Sequence, residues 1–384
     1  MVKVGTAARF RMLVGAAIVL LANCALAQQK VGESDGLCGF ENAFYSVKFL
    51  GSAAYARGGN GVATQSGAAG FLSNPANLRL NSLYEIYADG GLLREDVDYR
   101  LSSSTPFVSS LYNDASRFNM AVAAIKAGHF TAGLAVSVPR KFENVLHWSF
   151  VETDYGNTAL KNDSMFSAIK QWQISGGIGT ELFKSLRFGF AVHVLNFQLR
   201  YQDYWTGSYA VFPGLTLSQQ VLLFQVGLTQ TVGDFRLAAS MKSPEDTELG
   251  NRTVYGSEAG VFPVRIPAEF AVGAVYKDLV SGEARVLVLD DRFYEHDLVQ
   301  FGGGLHLPLV RLGVPRGSFV NIGIMHRFNP DYFGENVEQT FLNAGIELEL
   351  GRLGLAATMI NGSILGDGKS AVSELAIGIK FRAD

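Results

Sequence analysis

The residue types that perform catalysis or bind metal ions are sparse in this sequence. Six histidines, together with Cys38, show none of the spacings that are typical of a metal site. Two glycine runs, SGGIG at 175–179 and FGGGLH at 301–306, look superficially like phosphate-binding loops but lack the strand-turn-helix context. The Gly-x-Ser-x-Gly turn of a serine hydrolase is missing as well. We therefore expect no catalytic residue, no cofactor and no metal site. The histidines are at positions 129, 147, 193, 296, 306 and 326.

The chemistry that remains is the binding of apolar molecules. A long connection expected at 139–169 carries large apolar side chains, which is unusual for a solvated loop. Two interpretations stay open: capture of an apolar ligand, or packing of the loop on itself at a rim or in an interfacial aromatic belt. The residues with this candidate binding role are Phe142, Leu146, Trp148 and Phe150.

The composition favours a closed β-structure that spans a membrane. Only 17% of the 384 residues are charged, against roughly 25% in a typical soluble protein. The chain also contains 43 Gly, 27 Phe and 14 Tyr. Beyond residue 27 no apolar run approaches the roughly 20 residues of a membrane helix. The formal charge of −3, without a basic stripe, argues against a nucleic-acid partner.

Residues 1–27 have the pattern of a secretory signal peptide. Lys3, Arg9 and Arg11 precede an apolar stretch that ends in Ala-Leu-Ala, which predicts export and cleavage after Ala27. A lipoprotein with an acylated Cys24 is the alternative, although Asn23 stands where a small residue is expected. If the signal peptide is cleaved after Ala27, Cys24 leaves with it and Cys38 remains as a lone thiol, which we expect to be buried rather than paired.

Alternating side chains predict β-strands along the rest of the chain. The last of them places Leu375, Ile377, Ile379 and Phe381 on one face and small or polar residues on the other. Short and long connections alternate strictly, and the count from a first strand near 82–89 closes at 14. The prediction is an all-β fold, a 14-stranded antiparallel transmembrane β-barrel. A soluble sandwich or propeller is the alternative, but it would carry more charge.

A segment before the first strand is free to fill the lumen of such a barrel. Residues 28–80, called the hatch from here on, lack strand alternation and are rich in small residues. Gly58, Gly59 and Gly61 allow backbone turns that other residues resist. Asn74-Pro75 fixes a turn where the chain enters the wall. Phe71 and Leu72 are expected to face either an apolar ligand or the inner wall.

These features lead to a family resemblance. The stretch 50–78, LGSAAYARGGNGVATQSGAAGFLSNPANL, resembles the N-terminal hatch of FadL-type outer-membrane transporters of long-chain fatty acids and other hydrophobic compounds. The family motif falls on Asn74, Pro75 and Ala76. PorV-like barrels of protein secretion share this motif. Two departures are that ATQSG replaces a common acidic pair, and that the chain runs three residues past Phe381.

The resemblance implies a function and a location. Passive uptake would proceed by capture among the outer loops, passage by the hatch and lateral release through a gap in the wall. The alternative is a PorV-like barrel that scaffolds secretion or attaches exported proteins. We expect a monomer in the bacterial outer membrane, with a hydrophobic small molecule, outer-membrane lipid and the barrel assembly machinery as partners. The expected regions are 1–27 (signal peptide), 28–80 (hatch) and 81–384 (barrel).

Two places are candidates for the gap in the wall. Pro139 is expected to end a strand, and the apolar phase slips by one residue between Val194 and Phe197. Either feature is typical of a β-bulge that could kink the wall.

Overall fold

A computed structural model describes residues 51–100, 107–154, 157–204, 215–250, 261–288, 297–312, 314–315, 317–330, 336–361 and 370–383. The predicted signal peptide, Cys38 and the first part of the hatch lie outside these residues. No helix among the described residues is long and apolar enough to cross a membrane.

Fourteen antiparallel strands form a closed barrel, as the alternation predicts. The first strand pairs with the last, with Tyr84 opposite Ala383 and Ile86 opposite Phe381. The fourteen are β1 (Tyr84–Arg100), β2 (Phe107–Ala127), β3 (Phe130–Asp154), β4 (Asn157–Phe183), β5 (Leu186–Tyr204), β6 (Leu215–Val232), β7 (Phe235–Lys242), β10 (Ala268–Tyr276), β11 (Val280–Val288), β12 (Leu298–Pro308), β13 (Phe319–Pro330), β14 (Asn336–Leu350), β15 (Leu353–Asn361) and β16 (Ser370–Ala383).

The remaining elements lie outside the wall. Strands β8 (Glu245–Gly250) and β9 (Val261–Ile266) form a separate hairpin between β7 and β10, which pair directly with each other. This hairpin lies in the long connection between β7 and β10. The described hatch contains helix α1 (Ser52–Ala56) and two 3-10 helices, Ala68–Gly70 and Pro75–Asn77; a third 3-10 helix, Leu309–Leu312, follows β12.

The two faces of the wall differ as expected for a barrel in lipid. On β4, Trp172, Ile174 and Ile178 are 40–46% exposed, whereas Gln173 and Ser175 at the intervening positions are buried. Exposed aromatic side chains also ring the end of the barrel that carries the short turns, which we call the turn end. An apolar outer band flanked by aromatics is typical of transmembrane barrels. The ring contains Tyr84, Phe130, Phe183, Phe235, Tyr276 and Phe381.

Strands β3 and β4 are longer than the sequence predicts. The expected loop at 139–169 is wrong, because the two strands continue as a ladder from Arg140 opposite Gln171 to Asp154 opposite Asn157. The apolar residues of this stretch, at 142, 146, 148 and 150, recur at even positions, which is the spacing of a strand.

Candidate functional site

The Asn-Pro-Ala motif forms a capped turn at the end of the hatch. Asn74 has an extended backbone, and its side-chain Oδ1 accepts a hydrogen bond of 3.0 Å from the Ala76 N–H. Pro75 occupies the first position of the 3-10 helix, where a missing N–H costs nothing. The amide nitrogen of Asn74 donates to the carbonyls of Val62 and Leu228, both at 3.2 Å. One side chain thus ends the hatch and ties it to β6.

The glycine run gives the hatch its reversals. Gly58 and Gly59 have φ values of +77° and +75°, in the left-handed region that favours glycine. Gly61 has a different reason, since a Cβ there would come within 2.7 Å of the Ser73 hydroxyl. Gly58, Gly59 and Gly61 therefore shape the backbone of the hatch.

Glycines of the wall make room for the hatch backbone. A Cβ on Gly179 would lie 2.9 Å from the Pro75 carbonyl oxygen, and one on Gly177 would lie 2.7 Å from the Phe71 ring. Both belong to SGGIG, and two glycines of FGGGLH likewise face the hatch. The interpretation of these runs as strand glycines beneath a plug is confirmed. Other wall glycines that a Cβ would drive into the hatch are Gly189, Gly227, Gly302, Gly304, Gly323 and Gly345.

Carboxylates of the wall accept hydrogen bonds from the hatch. The backbone N–H groups of Ser52, Val62 and Ala68 donate to Asp89, Glu283 and Glu85 at 2.6, 2.8 and 2.8 Å. Each carboxylate lies on the lumen face of a strand, and all three are at least 93% buried. Because charged acceptors strengthen such bonds, the two strands β1 and β11 hold the hatch backbone without using its side chains.

Arg57 makes the strongest side-chain link between hatch and wall. Its guanidinium forms a bidentate pair with Glu347 of β14, with distances of 2.7 and 3.0 Å. Asn321 donates to the same carboxylate at 2.7 Å. The sequence places Glu347 on the lumen face, where it is tolerable only with water or a partner, and Arg57 is that partner.

Two wall arginines hold the far end of the hatch by its carbonyls. Arg187 donates to the carbonyl oxygens of Ala76 and Leu78, at 3.0 and 2.6 Å. Arg236 donates to that of Ala63 at 3.1 Å. The chain direction around the Asn-Pro-Ala turn is therefore fixed by cations on β5 and β7.

An apolar cluster lies between the hatch and the strands β1 to β5. Phe71 and Leu78 are fully buried in it, and Met120 and Val122 of β2 cover them. Leu72 packs on this cluster but stays partly exposed. Of the two interpretations for Phe71, contact with the inner wall is the one observed. Leu72 is the member that retains surface for another molecule.

The wall is interrupted beside this cluster. Strands β2 and β3 pair from Phe107–Trp148 to Ser110–Val145 and again from Met120–Ser137, but residues 111–119 and 138–144 between these points are not paired with each other. Both stretches keep their other neighbours, β1 and β4. At roughly 3.3 Å per residue, the unpaired seven and nine residues make the interruption about 23 to 30 Å long. We call it the window.

Pro139, one of the two places expected for a gap in the wall, lies at the edge of the window. The β3–β4 register shifts between Ser137 and Arg140, so Val138 and Pro139 together oppose one residue of β4. The expectation that Pro139 ends a strand is wrong, because β3 continues to Asp154. A bulge between Val194 and Phe197 is also wrong, since β5 pairs without a shift on both sides there. The apparent slip arises because Leu195 faces the lumen and is 4% exposed.

The four predicted capture residues lie on the long extension of β3. Leu146 pairs with Ser109 and Trp148 with Phe107, just beyond the outer limit of the window. Phe142 falls within the unpaired stretch, and Phe150 opposes Lys161 of β4. Their side chains are not among those that the structure describes, so their role in capture stays a prediction.

The buried histidines belong to polar networks of the lumen. His193 contacts Ser175 and Gln225 at 2.8 and 2.9 Å, and Gln225 donates to the hatch carbonyl of Ser73 at 3.2 Å. His306 contacts Ser281, whose hydroxyl also receives the amide of Asn60. Both therefore line the lumen, as predicted. Within the described parts of the chain, no group of three or more His, Cys, Asp and Glu could hold a metal ion.

Several known structures have a similar fold. No model of a protein family and no curated protein matches the sequence. The toluene transporter TbuX of Ralstonia pickettii has a TM-score of 0.62 at 14% identity, over 88% of this chain and 100% of that chain. A FadL homologue of Pseudomonas aeruginosa has 0.62 at 10%, over 87% and 98%. The toluene transporter TodX of Pseudomonas putida has 0.54 at 12%, over 87% and 97%. The protein has the FadL-type barrel fold. Identities this low establish the fold and leave the ligand to be argued from this chain.

Sequence reasoning missed most of the contacts that seat the hatch in this FadL-type barrel. Asp89, Glu283 and Arg187 lie at alternating lumen positions, and a charge on such a position is the signal that would have pointed to them. Their hatch partners are mostly backbone groups, which no side-chain pattern reveals.

Proposed function

We propose that the protein is an outer-membrane channel for the passive uptake of hydrophobic molecules, with lateral release through the window. The observation that carries this proposal is the window itself, because Met120 of the apolar cluster pairs with Ser137 at its inner limit. The FadL-type fold, shared with two toluene transporters, supports the same function.

The hatch supports a lateral route over a vertical one. It is anchored to strands around the barrel by Arg57, Asn74 and the carboxylates Asp89, Glu283 and Glu85. An apolar molecule would have to break these polar contacts to continue straight through. The route from Leu72 to the window requires no such step.

The ligand class follows from the chemistry along that route. Alkyl and aromatic molecules, such as monoaromatic hydrocarbons or long-chain fatty acids, are compatible with the apolar side chains of Leu72, Met120 and Val122. The predicted capture residues on β3, which include Phe142 and Trp148, would supply aromatic contacts before entry.

Uptake of labelled toluene and labelled oleate tests the function. We expect a deletion strain that carries the wild-type gene to take up at least one of them faster than the strain without it. Leu72→Asp should lower that uptake about tenfold or more, because a carboxylate on the apolar route must be desolvated or bypassed. Arg352→Asp adds the same group on an exposed turn and should leave uptake unchanged.

Equal uptake with and without the gene would contradict the transport proposal. In that case, stable co-purification of other envelope proteins would support the PorV-like attachment role instead. Amounts of folded barrel should be matched beforehand by the heat-dependent mobility shift on gels.

A further inference from the structure

A cavity whose lining shares no residue with the apolar cluster lies between the hatch and the wall. It opens at the turn end of the barrel, which we assign to the periplasm, and has a volume of about 260 Å³. The hatch forms one wall of it, and the barrel between β4 and β7 forms the other. We call it the basic pocket.

Positive charge dominates this lining. Four cationic side chains, Arg79, Lys184, Arg187 and Arg236, face one carboxylate, Glu181. Glu181 is 40% exposed and lies 3.8 Å from Arg187, so it neutralises one of them only loosely. Asp278, outside the pocket, pairs with Arg236 at 2.8 Å. With both carboxylates counted, the cations remain in excess by two.

The cations come from different elements of the fold. Arg187 and Arg236 are fixed by their bonds to hatch carbonyls, as described above. Arg79 belongs to the hatch, and Lys184 belongs to the short turn between β4 and β5. The pocket therefore brings together positive charges from the hatch and from the wall.

Neutral donors complete the lining. Ser66, Asn81, Ser185 and Thr231 are hydroxyl and amide groups around the same cavity. Cations and neutral donors that converge on a small cavity are the chemistry that recognises an oxyanion. The apolar side chains of the uptake route are absent from the residues that line it.

We propose that the basic pocket binds a small oxyanion, a phosphate or a carboxylate group, that bridges Arg79 of the hatch and Lys184 of the wall and holds the hatch in its seat. The bound anion relieves the repulsion among the four cations. The site is separate from the route of the hydrophobic molecule, so it does not depend on the proposed function.

A reporter cysteine in the pocket tests the local charge. Ser66 is exposed within it, and Ser66→Cys in a Cys38→Ser background places a single thiol there in the exported chain. We expect an anionic methanethiosulfonate reagent to react about tenfold faster than a cationic one of similar size. Millimolar inorganic phosphate, at constant ionic strength in chloride, should slow the anionic reagent. Acetate is the parallel arm, and protection by phosphate alone or by acetate alone identifies the preferred oxyanion.

Removal of two positive charges tests whether the reagent preference and the protection arise in the basic pocket. The double variant Arg79→Gln/Lys184→Gln should lose both the preference between reagents and the protection by phosphate. Arg352→Gln removes a cation from another turn at the same end and should keep both. Without the reporter, phosphate should raise the midpoint of thermal unfolding of the full chain but not that of the double variant.

Equal rates for the two reagents, or no protection by either anion at millimolar concentration, would overturn the proposal. Protection that persists in the double variant would overturn it too, because the anion would then bind elsewhere. Uptake of toluene or oleate is not measured in these experiments, so their result is independent of the transport test.

Discussion

A single amide group explains why asparagine, rather than another cap residue, precedes the hatch proline. The Oδ1 of Asn74 accepts from Ala76, while its amide nitrogen donates to Val62 and Leu228. Aspartate could provide the acceptor but not the donor, and serine would be too short to reach both. The residue is fully buried, so no water replaces a missing partner.

Substitutions of Asn74 should separate its two roles. Asn74→Ala removes the cap, which is worth about 1 kcal/mol. Asn74→Asp keeps the cap but directs a carboxylate at two carbonyl oxygens. An unpaired buried charge of this kind destabilises the fold by roughly 3 to 5 kcal/mol. At about pH 7.5 we therefore expect the Asp variant to have the lower thermal midpoint of the two.

Lowering the pH should distinguish the two variants further. The introduced carboxyl can take up a proton and donate one hydrogen bond, so the Asp variant should gain stability between about pH 7.5 and pH 5, relative to wild type. The Ala variant should show no such gain. A heat-dependent mobility shift measures the midpoints, and equal behaviour of both variants would contradict the donor role.

At this scale, local chemistry could be predicted and distant pairing could not. The cap joins residues two positions apart, and Asn-Pro restricts the backbone by itself. Arg57 and Glu347 are 290 positions apart. Their pairing depends on barrel closure and on the depth of the hatch, neither of which a residue pattern contains.

Strand β4 shows how an element serves lipid and hatch at once. Gly176 faces outwards, with nothing within 4 Å of a Cβ built on it, whereas Gly177 and Gly179 face the hatch. Side-chain alternation alone thus assigns neighbouring glycines to opposite roles.

Gly179→Val should unseat the hatch. Its side chain would overlap the Pro75 carbonyl and Leu78, neither of which can move without breaking the bonds to Arg187. We expect a folded barrel with higher ion conductance in planar bilayers, because the displaced hatch no longer fills the lumen. Gly176→Val on the same strand is the control and should conduct like wild type. Unchanged conductance of Gly179→Val would mean that the hatch does not seal the lumen.

The limits of element prediction have a physical cause. A proline can end a strand or lie in a bulge, and only the pairing distinguishes the two, so the extension of β3 and β4 through 139–169 was not predicted. Likewise, Leu195 is apolar but faces the lumen, so the sequence pattern there is the one expected of a bulge. The register shift near Pro139 was foreseeable because proline lacks the N–H that a ladder requires.

The whole molecule consists of a wall that closes by itself and a hatch fitted into it. The fourteen-strand ladder returns from β16 to β1 without any hatch residue. Deletion of residues 28–80 should therefore leave a barrel that still needs boiling to unfold in detergent. Its lumen would lose the hatch and keep side chains of both charges, such as Glu347 and Arg187, so we expect an open pore.

Bilayer recordings of the deletion variant beside the full chain check this expectation. A variant that migrates as unfolded without heating would show that the hatch is needed for assembly. A folded variant with wild-type conductance would show that another segment fills the lumen.

The window also affects the surrounding bilayer. Backbone N–H and C=O groups that point across it find no partner in the opposite strand. Hydrocarbon offers no hydrogen-bond partner to such groups, and each unpaired group in lipid costs several kcal/mol. Water or lipid headgroups must therefore reach this side of the barrel, so the membrane next to β2 and β3 should be thinner and wetter than elsewhere around the wall.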